Sequence, residues 1–412
     1  MTTTTTRRDF LHASTLLSFG ATVPGFLGRS ALAARTPDQP GGRDTVLVVV
    51  QLTGGNDGLN TVIPRRDPLY SKHRPKIGIK PADALKLTDD FALHPAMTGL
   101  AGLYADGKVA VVHGVGYPNP DQSHFRSMDI WHAASTAATL TEGWLGRALN
   151  QQPLGSFHLS DGKEPSPLAL AGATNRVPSI ASLADYQLKV SATNAAERAA
   201  QKAVISGGAA PTQSPPGDLL DFVRRTATTT YAGSDRLQAL AKGNESKVLY
   251  PTTGLATRLK LAAQLIDAGV GARILYVSHE NYDTHAGQGN ATGAHANLLG
   301  DLSAAITAFT LDVAARGHGD RVTLMTFSEF GRRATENGSG GTDHGSGAPM
   351  LLVGGKLKPG LHGTHPSLGT LDHGNLIHTT DFRRVYAALL ETWLGLDAKA
   401  VLGAGFEPLG VV

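Results

Sequence analysis

The sequence contains no cysteine, which excludes disulfides and thiolate metal sites and leaves oxygen or nitrogen as the only nucleophiles. An excess of either charge is also missing. Lys plus Arg number 37 against 34 Asp plus Glu, and no basic run forms a nucleic-acid footprint, so no nucleic-acid partner is expected. Aromatic residues make up only 6 %, but 41 % hydrophobic residues is ordinary for a packed globular chain and excludes disorder of the whole. The mildly apolar stretch Leu16 to Leu32 is interrupted by Gly20, Pro24, Gly25, Gly28 and Arg29. It falls short of the roughly 20 apolar residues of a spanning helix, so no stable membrane span is expected.

What is present begins at the N-terminus. Arg7-Arg8-Asp9-Phe10-Leu11 precedes that stretch, and Ala31-Leu32-Ala33 supplies small residues ahead of a cut before Ala34. This pattern is that of a twin-arginine signal over residues 1–33, which implies the Tat export machinery as a partner and a periplasmic or extracellular location. Its removal takes away Arg7, Arg8, Arg29 and Asp9, leaving a nearly neutral chain. Residues 34–43 read as a polar linker.

A single α/β domain is expected over 44–412. It opens with Val46-Leu47-Val48-Val49-Val50, an apolar run without alternation that reads as a strand buried on both faces. Helical spacing through Met97, Leu100 and Leu103 leads to a strand at Val109–Val115, so these segments predict a βαβ unit with parallel pairing. Further strands are expected at Ala272–Ser278, Arg321–Phe327 and Met350–Val353, with helices at Gly254–Ala268 and Ala294–Arg316. The Ala-rich Ala192–Ile205, the tether Ser206–Gly217 and the amphipathic Asp218–Tyr231 predict a helical insertion or cap at about 190–250. The fold class expected is a mostly parallel central sheet with helices on both faces.

Acidic, His and Ser residues cluster just beyond the strands, where a sheet of this kind builds its site. Asp57 follows the first strand within Gly54-Gly55-Asn56-Asp57-Gly58, either as a ligand or as a turn residue. Ser123 follows the second, ahead of a helical segment, where it either caps the helix or acts as a nucleophile at its positive end. His124 and Arg126 offer a hydrogen-bond donor and an anion clamp. Asp283 and His285 share one face of an extended segment, with His279 competing at the same strand end. Glu329 and His344 flank the later strands. Oxygen and imidazole donors together suit a divalent transition ion, zinc or manganese foremost.

The co-ordered motifs VVVQLTGGNDGLN, DQSHF, GWLGRAL, YDTHAGQ, FSEFGRR and GTDHG resemble the Tat-exported DUF1501 family across essentially the whole chain. More loosely, the arrangement resembles the alkaline-phosphatase-like superfamily, which includes sulfatases. That resemblance implies an alkaline-phosphatase-like sheet with one or two metal ions at its carboxyl edge and a Ser or Thr nucleophile. Carried over, Asp57 looks like a metal carboxylate, Ser123 like the nucleophile, and Asp283 and His285 like ligands of a second metal. Glu329 takes the place of the Asp in an Asp-His-Gly triplet, and His344 looks like the late histidine. Phe330 stands where the triplet has histidine, and His279, His124 or His373 are the candidates for the missing ligand. The expected function is metal-dependent hydrolysis of phosphate or sulfate esters, with a small anionic ester or glycan as substrate. The alternative is a non-catalytic exported binding or assembly protein that retains the fold.

Overall fold

The computed structural model describes residues 44–152, 154–174, 177–182 and 245–412. The expected signal segment, the linker and both helices of the expected insertion lie outside the described residues.

Among the described residues nine strands form the main sheet: β1 (Val46–Leu52), β2 (Val109–Gly116), β3 (Gly155–Leu159), β4 (Ser179–Ile180), β5 (Ala272–His279), β6 (Val322–Phe327), β7 (Ala348–Gly354), β8 (Gly360–His362) and β9 (Thr380–Asp381). Their order is β8-β2-β7-β6-β1-β5-β3-β4, with β9 also paired to β2. All pairings are parallel except those of β7, which runs antiparallel to both β2 and β6. The sheet is thus mixed and mostly parallel, as expected.

The central strand explains its own sequence. Val46, Val48 and Val50 face one core with Leu259, Leu302 and Ile306, while Leu47 and Val49 face a second core with Trp131, Phe382 and Tyr386. Both faces are covered, so alternation has no polar side to mark. Burial of each such side chain contributes about 1.5–3 kcal/mol before the entropy of ordering is counted. On the first face lie α1 (Thr98–Ala105), α4 (Gly254–Asp267) and α5 (Ala294–Ala315). On the second lie α2 (His124–Ala133), α3 (Trp144–Gln151) and α6 (Phe382–Ala388). There Trp131 stacks on Phe382 at 4.3 Å between ring centres, and Trp144 stacks on Tyr386 at 4.2 Å.

Among the described residues α5 is long and apolar enough to cross a membrane. Leu299, Leu302, Ile306, Phe309 and Val313 instead bury one side of it in the first core, which is why its sequence is so apolar.

The expected pairing of the first two strands is corrected. β1 pairs with β5 and β6, and β7 and β6 stand between it and β2. The two strands run in the same direction, but the inserted partners come from the last third of the chain. Local periodicity carries no trace of such distant pairing.

The topology gathers one edge. β1, β2, β5 and β6 all end there, followed respectively by the segments of Asp57, Ser123, Asp283 and Glu329. Because β7 is antiparallel, its beginning lies at the same edge, which delivers His344 from the opposite chain direction.

Candidate metal centre

The edge is built by close backbone contacts that only glycine permits. Gly54 and Gly55 have φ of +119° and +76°. A Cβ on Gly54 would lie 2.5 Å from the backbone nitrogen of Asp283, and one on Gly55 would lie 2.3 Å from the Phe330 ring. Arg332, fully buried, ties these loops together. Its guanidinium donates to the carbonyls of Gly54, Gly55, Tyr282 and Thr342 and, at 2.6 Å, to Asp283 Oδ1. An antiparallel bridge between Arg332 and His344 brings the last loop into register.

His124, Asp283 and His344 converge on this frame, with one donor atom from each lying within 4.8 Å of the others. His124 Nε2 is 3.4 Å from Asp283 Oδ2, and His344 Nε2 is 3.4 Å from Asp283 Oδ1. Such separations match the edge of a tetrahedral shell with bonds of about 2.1 Å. Both imidazoles are oriented from behind. His344 Nδ1 lies 2.8 Å from the Gln122 carbonyl, and His124 Nδ1 lies 2.9 Å from Glu329 Oε1. A carbonyl and a carboxylate only accept, so each ring is held with its Nδ1 proton outward and the Nε2 lone pair turned to the centre when neutral. Acceptors behind ligating histidines are the usual support of a metal site. The donor set fits a divalent transition ion, with a coordination position left for solvent or substrate.

The electrostatics follow the contacts. The Glu329 hydrogen bond, against the opposing effect of burial, raises the pKa of His124. Burial lowers that of His344. Burial alone would raise the carboxyl of Asp283, but the Arg332 hydrogen bond and charge outweigh it and hold the group below its ordinary range.

The other expected residues take distinct places. His285 borders the group, with Nε2 3.1 Å from Asp283 Oδ1 and Nδ1 3.4 Å from Asp343 Oδ1. Glu329 is fully buried behind His124, where it also accepts from the Gly54 N–H at 2.8 Å and from the Ser328 hydroxyl at 3.0 Å. Asp57 is buried against Arg74 and accepts from Gln288 at 2.5 Å, while its Oδ1 has no partner among the described residues. Burial works against that carboxylate, and the Arg74 charge and hydrogen bond still lower its pKa. Ser123 is exposed at the N-cap of α2 and its side chain makes no capping bond. Arg126 turns away, donating to the Thr136 and Ala137 carbonyls at 3.0 and 2.6 Å.

Of the candidates for the missing ligand, the structure brings in His124. His279 is buried with Nδ1 3.0 Å from the Tyr282 hydroxyl, and His373 is exposed. Phe330 does not ligate but walls the site, its ring centre 4.9 Å from that of His124 and 4.6 Å from that of His344. Sequence reasoning missed Arg74, Gln288 and the Gln122 carbonyl. The last lies in the quoted segment ahead of His124, but nothing in a side-chain pattern marks a backbone acceptor.

The family model described as "Protein of unknown function (DUF1501)" matches residues 44–404. The chain belongs to this family. No curated protein matches it. Among solved structures it is similar to a protein in the alkaline phosphatase superfamily from Vibrio parahaemolyticus, at 10 % identity and TM-score 0.39, over 92 % of this chain and 77 % of that one. It is also similar to the C-terminal periplasmic domain of EcEptC from Escherichia coli in complex with Zn, at 11 % identity and TM-score 0.37, over 78 % and 75 %. A third is the soluble domain of lipooligosaccharide phosphoethanolamine transferase A from Neisseria meningitidis, at 11 % identity and TM-score 0.31, over 78 % and 79 %.

Proposed function

We propose that this DUF1501 protein is an exported, metal-dependent hydrolase of phosphate or sulfate esters. The observation that carries the reading is the convergence of His124, Asp283 and His344, with both histidines oriented from behind by acceptors. These three residues would hold the ion, zinc or manganese foremost. When bound, such an ion supplies Lewis-acid stabilisation of oxygen charge and lowers the pKa of a hydroxyl or water beside it.

The chain's own groups do the rest. Glu329 holds the His124 Nδ1 proton and keeps that ring in one orientation. Arg332 fixes the carboxylate of Asp283 on the side away from His124. Ser123 is the nucleophile in this reading: its hydroxyl is exposed and uncommitted to capping, next in the chain to His124, at the positive end of a ten-residue helix that favours an anion. Asp121 Oδ1 accepts the Ser123 N–H at 2.7 Å and sets the turn that presents it. Export rests on the twin-arginine pattern at Arg7-Arg8 and the small residues at Ala31-Leu32-Ala33, which support a periplasmic or extracellular location.

The test is a panel of phosphate and sulfate monoesters with metal-loaded protein, run beside Ser123→Ala and Asp283→Ala. Turnover lost in both folded variants is expected; undiminished turnover in both sinks the proposal. A binding role is the second reading, favoured by Phe330 filling the space beside both histidines and by the engagement of Arg126 elsewhere. Saturable glycan binding without turnover is its signature.

A further inference from the structure

The loop that carries Asp283 and the loop that carries His344 are distant in the chain but joined along their backbones. The Thr342 N–H donates to the Thr284 carbonyl at 3.2 Å, and the N–H groups of Gly287 and Gln288 donate to the carbonyls of Ser339 and Gly340 at 3.1 and 2.9 Å. Gly341 permits the approach, since a Cβ there would lie 2.4 Å from the His285 carbonyl oxygen. Asn337 stands at this junction, half-buried, with every hydrogen-bonding position of its side chain filled. Its Oδ1 accepts from the N–H groups of Ser339 and Gly341 at 3.0 and 3.1 Å, and its Nδ2 donates to the His285 carbonyl at 2.8 Å and to Asp343 Oδ1 at 2.9 Å.

The oxygen alone accounts for a turn. A side chain that accepts from the N–H two residues on needs only an acceptor, and Asp supplies that as well as Asn. The two N–H donors do something else. One holds the backbone of His285, two residues after Asp283, and the other holds the side chain of Asp343, the residue before His344. The second bond also continues into the centre. The Asp343 oxygen that Asn337 holds is the one that faces His285 Nδ1 at 3.4 Å, and His285 Nε2 lies 3.1 Å from Asp283 Oδ1. Arg332 closes on that same Asp283 oxygen at 2.6 Å. A continuous chain from Asn337 through Asp343 and His285 thus reaches the carboxylate that faces both His124 and His344. Acceptors and donors behind a ligand fix its orientation and so its affinity for an ion.

We infer that Asn337 is a positioning residue of the metal centre: its amide nitrogen locks the loop of Asp283 to the loop of His344 and, through Asp343 and His285, holds the Asp283 carboxylate in the orientation that meets an ion. The inference rests on the metal centre of the hydrolase reading and deepens it, but its test reads the ion and not turnover.

The experiment measures zinc affinity by chelator competition and records the visible absorption of the cobalt(II)-loaded protein, a signature of coordination geometry. It compares wild type, Asn337→Asp, Asn337→Ala and Asn150→Ala. Asn337→Asp keeps the shape and the turn acceptor and loses both donors, so a residue that served the turn alone would tolerate it. Asn150, on α3, makes a similar bridge outside the centre, to the Gly172 carbonyl at 2.8 Å and from the Thr174 N–H at 2.7 Å. Both folded Asn337 variants are expected to bind zinc about 10- to 100-fold more weakly with an altered cobalt spectrum, and Asn150→Ala to match wild type. Should Asn337→Ala fail to fold, Asn337→Asp is read with Asp343→Ala, and the relay predicts that the double variant loses less affinity than the product of the two single losses. Wild-type zinc affinity and cobalt spectrum in Asn337→Asp overturn the inference whatever Asn337→Ala does, as does a wild type that binds no zinc. The two readings fail separately. Asn337-dependent zinc binding without ester turnover removes the hydrolase and keeps the positioning role, whereas turnover with zinc affinity indifferent to Asn337 does the reverse.

Discussion

Glu329 Oε1 lies 2.9 Å from His124 Nδ1, and this fully buried carboxylate is what aims the imidazole at Asp283 and His344. Replacing it with Gln keeps the shape but removes the charge that supports a ligating histidine. Glu329→Gln is expected to weaken zinc or manganese binding by about 10- to 100-fold without unfolding the protein. A chelator-competition titration measures it, and unchanged affinity contradicts the supporting role.

Arg332 is a clasp before it is anything else. Its removal leaves the buried carbonyls of Gly54, Gly55 and Thr342 without their donor, while that of Tyr282 keeps the Thr284 N–H, and frees Asp283 from the loop that positions it. Arg332→Ala is expected to cost about 3 kcal/mol or more. Urea unfolding reads this as a lower midpoint at constant slope.

Asp57 and Arg74 form a pair with no exposure of either side chain. Asp57→Ala strands the guanidinium and is expected to destabilise the fold by about 3–5 kcal/mol. If the ligands are His124, Asp283 and His344, metal content survives in whatever fraction remains folded. A folded variant that has lost its metal would instead assign Asp57 the ligand role implied by the family resemblance.

Acid should unfold this protein through buried histidines. Burial lowers His132 to about 3, and His113 and His158 to about 4. In the unfolded chain each titrates near the ordinary 6.5, so between about pH 4 and 6.5 the unfolded state binds more protons. Stability is therefore complete above about pH 6.5 and falls as pH drops through that window, each group contributing up to about 1.4 kcal/mol per pH unit. Urea midpoints at pH 7, 6 and 5 check the sign; a midpoint that rises toward pH 5 contradicts it.

Much of the fold was legible because the decisive strands are uniformly apolar. Val46–Val50 reads directly as a strand covered on both faces, and the observed strand runs Val46–Leu52. The strand order was not legible, since β6 and β7, which separate β1 from β2, come from beyond residue 320. At the site, Asp283, His344 and His124 were all visible as donors at strand ends. Their grouping was not, because it depends on an antiparallel β7 and on Arg332 drawing three loops together. The Arg332-Arg333 dipeptide shows the limit most plainly. One member is buried among carbonyls and the other is only half-buried, a difference the dipeptide itself does not mark.

Elemental analysis of purified protein, beside Asp283→Ala and His344→Ala, tests the metal centre most directly. One transition ion per chain in the wild type, lost in both folded variants, is the predicted result. A folded wild type that takes up neither zinc nor manganese, or variants that retain the ion in full, would contradict it.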